Sequence, residues 1–268
     1  MIRVARLRGL TSYADGLTLQ RLLLSRLRAS GGQFQQPDTL LLLEHEPVFT
    51  LGRIQASAAN VLASEAEIAA AGASVVQSDR GGNVTFHGPG QLVAYPILDL
   101  RRHRQDLRWY VSQLEEAMIG ACAKFGIAAH AGGDGQTGVW VKGEQASRGA
   151  SSGETVGEGG EESGGDERKI GAIGVRVNRW YASHGIALNA DVDLKYFDMI
   201  VPCGLSATPN VTSLTREAGR RIGVDELAPL FTDAFSEALG VEVEEGDVDG
   251  LVREMRAAKA MEALRTQR

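Results

Sequence analysis

Cysteine is scarce. Cys122 and Cys203 are the only two in 268 residues, which allows one disulfide at most and excludes a cystine-stapled scaffold. Long apolar runs are missing too. Leu40 to Leu43, bounded by Thr39 and Glu44, is typical of what the chain contains, and no segment approaches the roughly 18 apolar residues of a membrane span. The opening MIRVARLRGL lacks the long apolar stretch of a secretory signal. Basic charge is not in excess: the formal net charge is −6, which argues against a general nucleic-acid binder. No internal repeat is visible. These absences leave a protein of a reducing cytoplasm that uses neither membrane nor nucleic acid. Its 43% of apolar residues suffice for an ordinary core, and its length suits one large domain or two small ones.

The net charge is unevenly placed. Residues 143–168, GEQASRGASSGETVGEGGEESGGDER, hold seven acids against two arginines, a net of −5 that leaves −1 for the rest of the chain. The segment has no aromatic residue and little to bury, so its composition reads as a disordered acidic insertion. Its flanks, TGVWVK and KIGAIGVRV, both read as strands of one sheet, so it is not a linker between domains.

Elsewhere strands and helices are mixed. MIRVARL, TLLLLEH, QLVAYPILDL, KIGAIGVRV and WYASHGIALN read as strands. SYADGLTLQRLLLSRLRAS and VDELAPLFTDAFSEALG read as helices. The clearest helix is DLRWYVSQLEEAMIGACAKFG, where Leu107, Tyr110, Val111, Leu114, Ala117, Met118, Ala121, Cys122 and Phe125 recur mostly at spacings of three and four, with Gly126 as the stop. Strands do not alternate regularly with helices, which favours α+β over a doubly wound sheet. The expected organisation is one catalytic domain over residues 1–240, interrupted by the insertion at 143–168, with a strand and a charged helix at 241–268 appended.

The two cysteines sit in different settings. Cys122 lies on the apolar stripe of its helix, where a thiol acts as a small hydrophobe. Cys203 lies in IVPCGL, between Pro202 and Gly204. Such a turn suits an exposed reactive thiol and also suits an ordinary loop. A free thiol with a pKa near 8.5 needs a neighbouring cation to react at neutral pH. Lys169, Lys195, His87 and His184 are the candidates, Lys195 lying in a helical turn, DVDLKYFD. The cysteines and histidines lack zinc spacing.

The most informative stretch is RGGNVTFHGPGQLVAYPILDL, Arg80 to Leu100. Its first half combines Gly-rich backbone, an arginine, a threonine hydroxyl and a histidine, a set suited to holding a carbonyl or an anion. The stretch is neither a Walker loop nor a GxGxxG fingerprint. A long hairpin turn with a structural His87 accounts for it equally well at this point.

RGGNVTFHGPGQ resembles the signature of the lipoate–protein ligase B family, the octanoyl-[acyl-carrier-protein]:protein N-octanoyltransferases. KIGAIGVRV, SHGIALN, and IVPCGL followed by VTSL resemble three further blocks of that family, in order. The resemblance spans about Arg3 to Leu239; the acidic insertion and the charged terminal helix depart from it. It implies an α+β fold like the biotin protein ligase and lipoate ligase catalytic domains, with a mixed central sheet, a smaller sheet and packed helices. It implies transfer of an octanoyl group from octanoyl-acyl carrier protein to a lysine of lipoyl domains, those of 2-oxoacid dehydrogenase complexes and the glycine cleavage H protein. Cys203 is then the nucleophile that carries the acyl group as a thioester, and Lys169 lowers its pKa. Arg80, Gly81, Gly82, Asn83, Val84, Thr85, Phe86 and His87 bind substrate with Ala172, Ile173, Gly174, Gly185, Ile186 and Ala187. No cofactor and no metal is required. The rivals are an ATP-dependent lipoate ligase, a cysteine hydrolase using His87 or His184, and a silent binding module. The basic run RRHRQDLR, Arg101 to Arg108, is a candidate dock for the acidic carrier.

Overall fold

The computed structural model describes residues 1–29, 36–133, 135–143, 167–201 and 210–266. In chain order the elements are β1 (Ile2–Thr11), α1 (Tyr13–Ala29), β2 (Asp38–His45), β3 (Val48–Leu51), α2 (Glu65–Ala70), β4 (Ser74–Gln77), β5 (Thr85–His87), β6 (Gln91–Asp99), α3 (Leu107–Ala123), β7 (Ala129–Ala131), β8 (Val139–Lys142), β9 (Glu167–Asn178), β10 (Tyr181–Asn189), β11 (Asn210–Val211), α4 (Leu214–Ala218), α5 (Val224–Leu239), β12 (Val243–Glu245) and α6 (Val248–Thr266). The main sheet runs β12-β1-β2-β6-β10-β9-β8-β7, with β11 added to β9, and a small sheet runs β4-β3-β5. The class is α+β, with parallel and antiparallel pairs in both sheets.

The runs without alternation are strands covered on both faces. Side chains of a strand point alternately to its two sides. Leu40 and Leu42 of β2 enter the core beneath α3 and α5, together with Leu92, Ala94 and Leu98 of β6. Their neighbours Leu41, Leu43, Val93, Tyr95 and Ile97 enter the second core, beneath α1 and α6. Each fully buried Leu contributes roughly 1.5–3 kcal/mol, so the four-leucine run alone fixes β2 at the centre of the sheet.

Helix α3 buries Tyr110, Leu114, Ala117, Met118, Ala121 and Cys122, close to the expected stripe. Leu107 is exposed instead, because it occupies the first helical position, right after the cap. Asp106 caps the helix by accepting from the Arg108 and Trp109 backbone amides at 2.9 and 3.1 Å. Cys122 is buried, and burial pushes its thiol up to about 12.

One expectation is corrected. The acidic segment does not reach Arg168: Glu167 and Arg168 belong to β9, opposite Lys142 and Val141 of β8, and Arg168 holds Glu217 with two hydrogen bonds of 3.0 and 2.9 Å. Residues 144–166 lie outside the described residues. Two arginines of the basic run also hold polar groups of the fold. Arg101 donates to Asp99 twice, at 2.7 Å each, and to the Tyr181 hydroxyl. Arg102 donates to the Gln36 carbonyl and lies 3.4 Å from Asp38. These two arginines close the Asp99 end of β6, remote from the end that carries Gln91. Among the described residues no helix is long and apolar enough to cross a membrane.

Candidate active site

A cleft lies between the small sheet and the main sheet and encloses about 740 Å³, its open mouth included. Of the residues expected from sequence, Arg80, Gly82, Asn83, Val84, Thr85, His87, Lys169, Ala172, Ile173, Gly174, Gly185, Ile186 and Ala187 all line it. Gly81 and Phe86 do not. Gly81 donates its amide to the Val175 carbonyl at 2.9 Å and so joins the Arg80 loop to β9. Phe86 is fully buried and stacks on Tyr196 with ring centres 4.2 Å apart, because on a strand its side chain faces away from those of Thr85 and His87.

Tyr13, Gln91, Tyr95, Gly171, Asn189, Phe197 and Val211 also line the cleft, and the sequence reading did not assign them. Tyr13 had a signal of its own, a large aromatic at the start of a helix. Gln91 and Asn189 had one as well, as polar residues at the ends of otherwise apolar strands.

Lys169 is 5% exposed. Its Nζ donates to the Thr137 carbonyl at 2.9 Å and sits 5.0 Å from the Trp140 ring centre. Gly138, at φ 125°, makes room for it: a Cβ there would meet Lys169 Cε at 2.9 Å. Gly185 serves the opposite wall, since a Cβ would fall 2.0 Å from the Ala94 carbonyl oxygen of the neighbouring strand.

Arg80 is buried, with Nε and Nη2 donating to the Thr50 hydroxyl at 3.2 and 2.9 Å and Nη2 to the Thr50 carbonyl at 2.6 Å. Around it three histidines are held neutral. Burial brings His45 down to about 4. Burial, with help from His45 and Arg80, brings His87 to about 3. Burial followed by Arg80 brings His184 to about 4. His45 Nδ1 meets the Thr11 carbonyl at 2.8 Å, so it donates there and its Nε2 accepts from the Tyr95 hydroxyl at 2.7 Å. His184, at φ 56°, contacts Asp79 through Nε2 at 2.7 Å. Neither His87 nor His184 is then a cation at neutral pH. Lys195 is exposed in the 3₁₀ turn of residues 194–199. Of the four candidate thiol activators, Lys169 is the one that combines positive charge with a place in the cleft.

Cys203 lies outside the described residues. The residues that flank its segment are placed. Ile200 bridges to Val61, and the Val201 amide donates to the Asn60 carbonyl at 2.7 Å. On the other side Asn210 and Val211 pair with Arg168 and Lys169. Among the described residues no group of three or more His, Cys, Asp and Glu is arranged to hold a metal ion.

The sequence matches the lipoyl protein ligase A/B catalytic domain over residues 12–236. The chain belongs to this family. It is 44% identical to an octanoyltransferase of Rubrobacter xylanophilus, over 88% of this chain and 93% of that one. It is 42% identical to the mitochondrial octanoyl-[acyl-carrier-protein]:protein N-octanoyltransferase of Danio rerio, over 85% and 88%. Among solved structures, the lipoate protein ligase of T. acidophilum with bound lipoic acid superposes with a TM-score of 0.67 at 16% identity, covering 95% of this chain and 94% of that one. That likeness establishes the shared fold, including the mixed sheet that forms the cleft.

Proposed function

We propose that this member of the family is an acyltransferase that moves an octanoyl group from octanoyl-acyl carrier protein to a lysine of lipoyl domains, through a thioester on Cys203. The acceptors are those of 2-oxoacid dehydrogenase complexes and the glycine cleavage H protein, and the step is the first of endogenous protein lipoylation. The supporting observation is Lys169: a buried ammonium on an otherwise largely apolar cleft, paired in register with the strand that follows the cysteine segment. Residues 1–240 form the catalytic unit in this reading. Residues 241–268 are appended to it, since neither β12 nor α6 lines the cleft.

The chemistry closes without a cofactor or metal. The Lys169 ammonium stabilises the Cys203 thiolate. The thiolate attacks the carrier thioester; a C–S bond to the enzyme forms, the C–S bond to the pantetheine arm breaks, and the leaving sulfur takes a proton from Lys169. In the second step the acceptor amine attacks, a C–N bond forms, the bond to Cys203 breaks, and the amine proton returns to Lys169. Val84, Ile173, Ile186 and Phe197 offer the alkyl chain an apolar slot. Its roughly six methylenes are worth on the order of 5 kcal/mol at about 0.8 kcal/mol each.

Intact-mass spectrometry after mixing with octanoyl-carrier protein tests the reading. One octanoyl adduct is expected on the wild type and on Cys122→Ala, and none on Cys203→Ala. An adduct that persists on Cys203→Ala would sink the assignment. Activity with free octanoate and ATP in place of the carrier would point to the ligase chemistry instead.

A further inference from the structure

His87 is held by a chain of hydrogen bonds in which every direction is determined. Asn189 Nδ2 donates to the Thr212 carbonyl at 2.9 Å, and a carbonyl only accepts. Asn189 Oδ1 therefore faces Gln91 and accepts from its Nε2 at 2.9 Å. The same Nε2 donates to the Phe86 carbonyl at 3.1 Å, which confirms the orientation of the amide. Gln91 Oε1 is then the atom that meets His87 Nδ1 at 2.8 Å. That oxygen carries no hydrogen, so Nδ1 donates and Nε2 holds a lone pair. His87 lines the cleft, and its Nε2 has no partner among the described residues and is not sealed off in the interior. The chain is anchored at the lysine wall, since the Thr212 amide donates to the Lys169 carbonyl at 2.9 Å.

We propose that His87 Nε2 receives an N–H of the incoming lysine amine, and that Gln91 and Asn189 are positioning residues that fix the imidazole for it. The inference rests on the acyl-transfer reading above. A fixed, neutral acceptor sorts the groups that enter the cleft. The octanoyl chain has no polar hydrogen. The thioester carbonyl is itself an acceptor and is repelled by a lone pair. The amine is a donor, and with one N–H held its own lone pair remains free to face the carbonyl carbon. The pantetheine arm also has amide N–H groups, but the nearest is set back from the sulfur by the cysteamine carbons. His87 is only 6% exposed and lies deep in the cleft. His87 takes no proton in this role; the amine proton leaves to Lys169, and the imidazole stays neutral throughout.

Two measurements test it. Nitrogen-15 NMR of histidine-labelled wild type should find His87 protonated at Nδ1 and bare at Nε2; a proton on Nε2 overturns the proposal. In single-turnover kinetics, loading of Gln91→Met and His87→Phe from octanoyl-carrier protein is compared with transfer from each loaded enzyme to a subsaturating lipoyl domain. The transfer step should fall about tenfold more than the loading step, the loss of one well-placed hydrogen bond, with the effect on the acceptor KM larger than on kcat. Equal losses in the two steps would assign His87 to the donor or to the fold and overturn the proposal. Failure of the underlying reading shows separately, as a wild type that never loads, and would take this inference with it.

Discussion

Val211 lies opposite Lys169 in the parallel pairing of β11 with β9. Two residue pairs are the whole of that ladder, so other contacts must hold it. Glu217 supplies them, accepting from Arg168 at 3.0 and 2.9 Å and from the Thr212 hydroxyl. Glu217→Ala should cost about 1.5–3 kcal/mol, the range for hydrogen bonds to charged groups. It should also slow acyl-enzyme formation, because it loosens the strand beside Lys169. Thermal melts and loading kinetics on the same variant check both effects.

Gly138 faces the Lys169 side chain at φ 125°. Gly138→Ala places a methyl against Cε in a backbone region that L residues avoid. A loss of about 1–3 kcal/mol is expected, together with a slower reaction of Cys203 with iodoacetamide near neutral pH as the ammonium is displaced. An unchanged alkylation profile would show that Lys169 keeps its place.

The three neutral histidines set an acid limit. Their ordinary value is about 6.5, and the fold holds His45 and His184 at about 4 and His87 at about 3. Between these values and 6.5 the unfolded chain binds more protons than the folded one. Their contribution is thus complete above pH 6.5 and is lost as the pH falls through the folded values. The melting temperature should decline steadily from pH 6.5 to 4; a flat profile across that window would contradict the burial of these rings.

Lys142 and Glu167 are the last pair of the β8–β9 ladder, so the ends of the acidic segment are adjacent. Replacing residues 144–166 by a short turn should leave the melting temperature within a few degrees, because loop length costs only about 0.6 kcal/mol per doubling. The excised stretch is strongly acidic. Its removal should lower the KM for the acidic carrier at low salt, and the difference should fade as salt shortens the Debye length. Kinetics at two ionic strengths measure it.

Much of this was legible in the residue pattern. The leucine run of β2 and the apolar run of β6 mark strands covered on both faces, and the stripe of α3 marks its buried side. The stretch from Arg80 to His87 fits a hairpin turn as well as a binding loop on its residues alone, and its resemblance to a family signature points to the cleft it lines. What stayed hidden depends on partners far apart in the chain. Nothing local to Arg102 points to Asp38, 64 positions away. Gln91 looks like the polar edge of a strand until Asn189, 98 positions on, is seen beside it. The short strands β3, β4 and β11 carry too few residues for a period to show, and the pairing that defines them comes from the tertiary fold. Tyr13 reads as a helix residue, and the packing of α1 turns its ring toward His87, 6.5 Å away and nearly parallel.

Strand β6 carries both the anchor of His87 and the middle of the molecule. Gln91 and Tyr95 line the cleft, while Leu92, Val93, Ala94, Ile97 and Leu98 of the same nine residues fill the two cores. A strand covered on both faces opens only when the whole domain opens. Its amide protons are therefore expected among the slowest to exchange, and the floor of the cleft is as rigid as the protein is stable. Variation in acyl preference is then expected in the other walls of the cleft, the loops and the small sheet included, because exchanging the core-filling residues of β6 disturbs the fold itself.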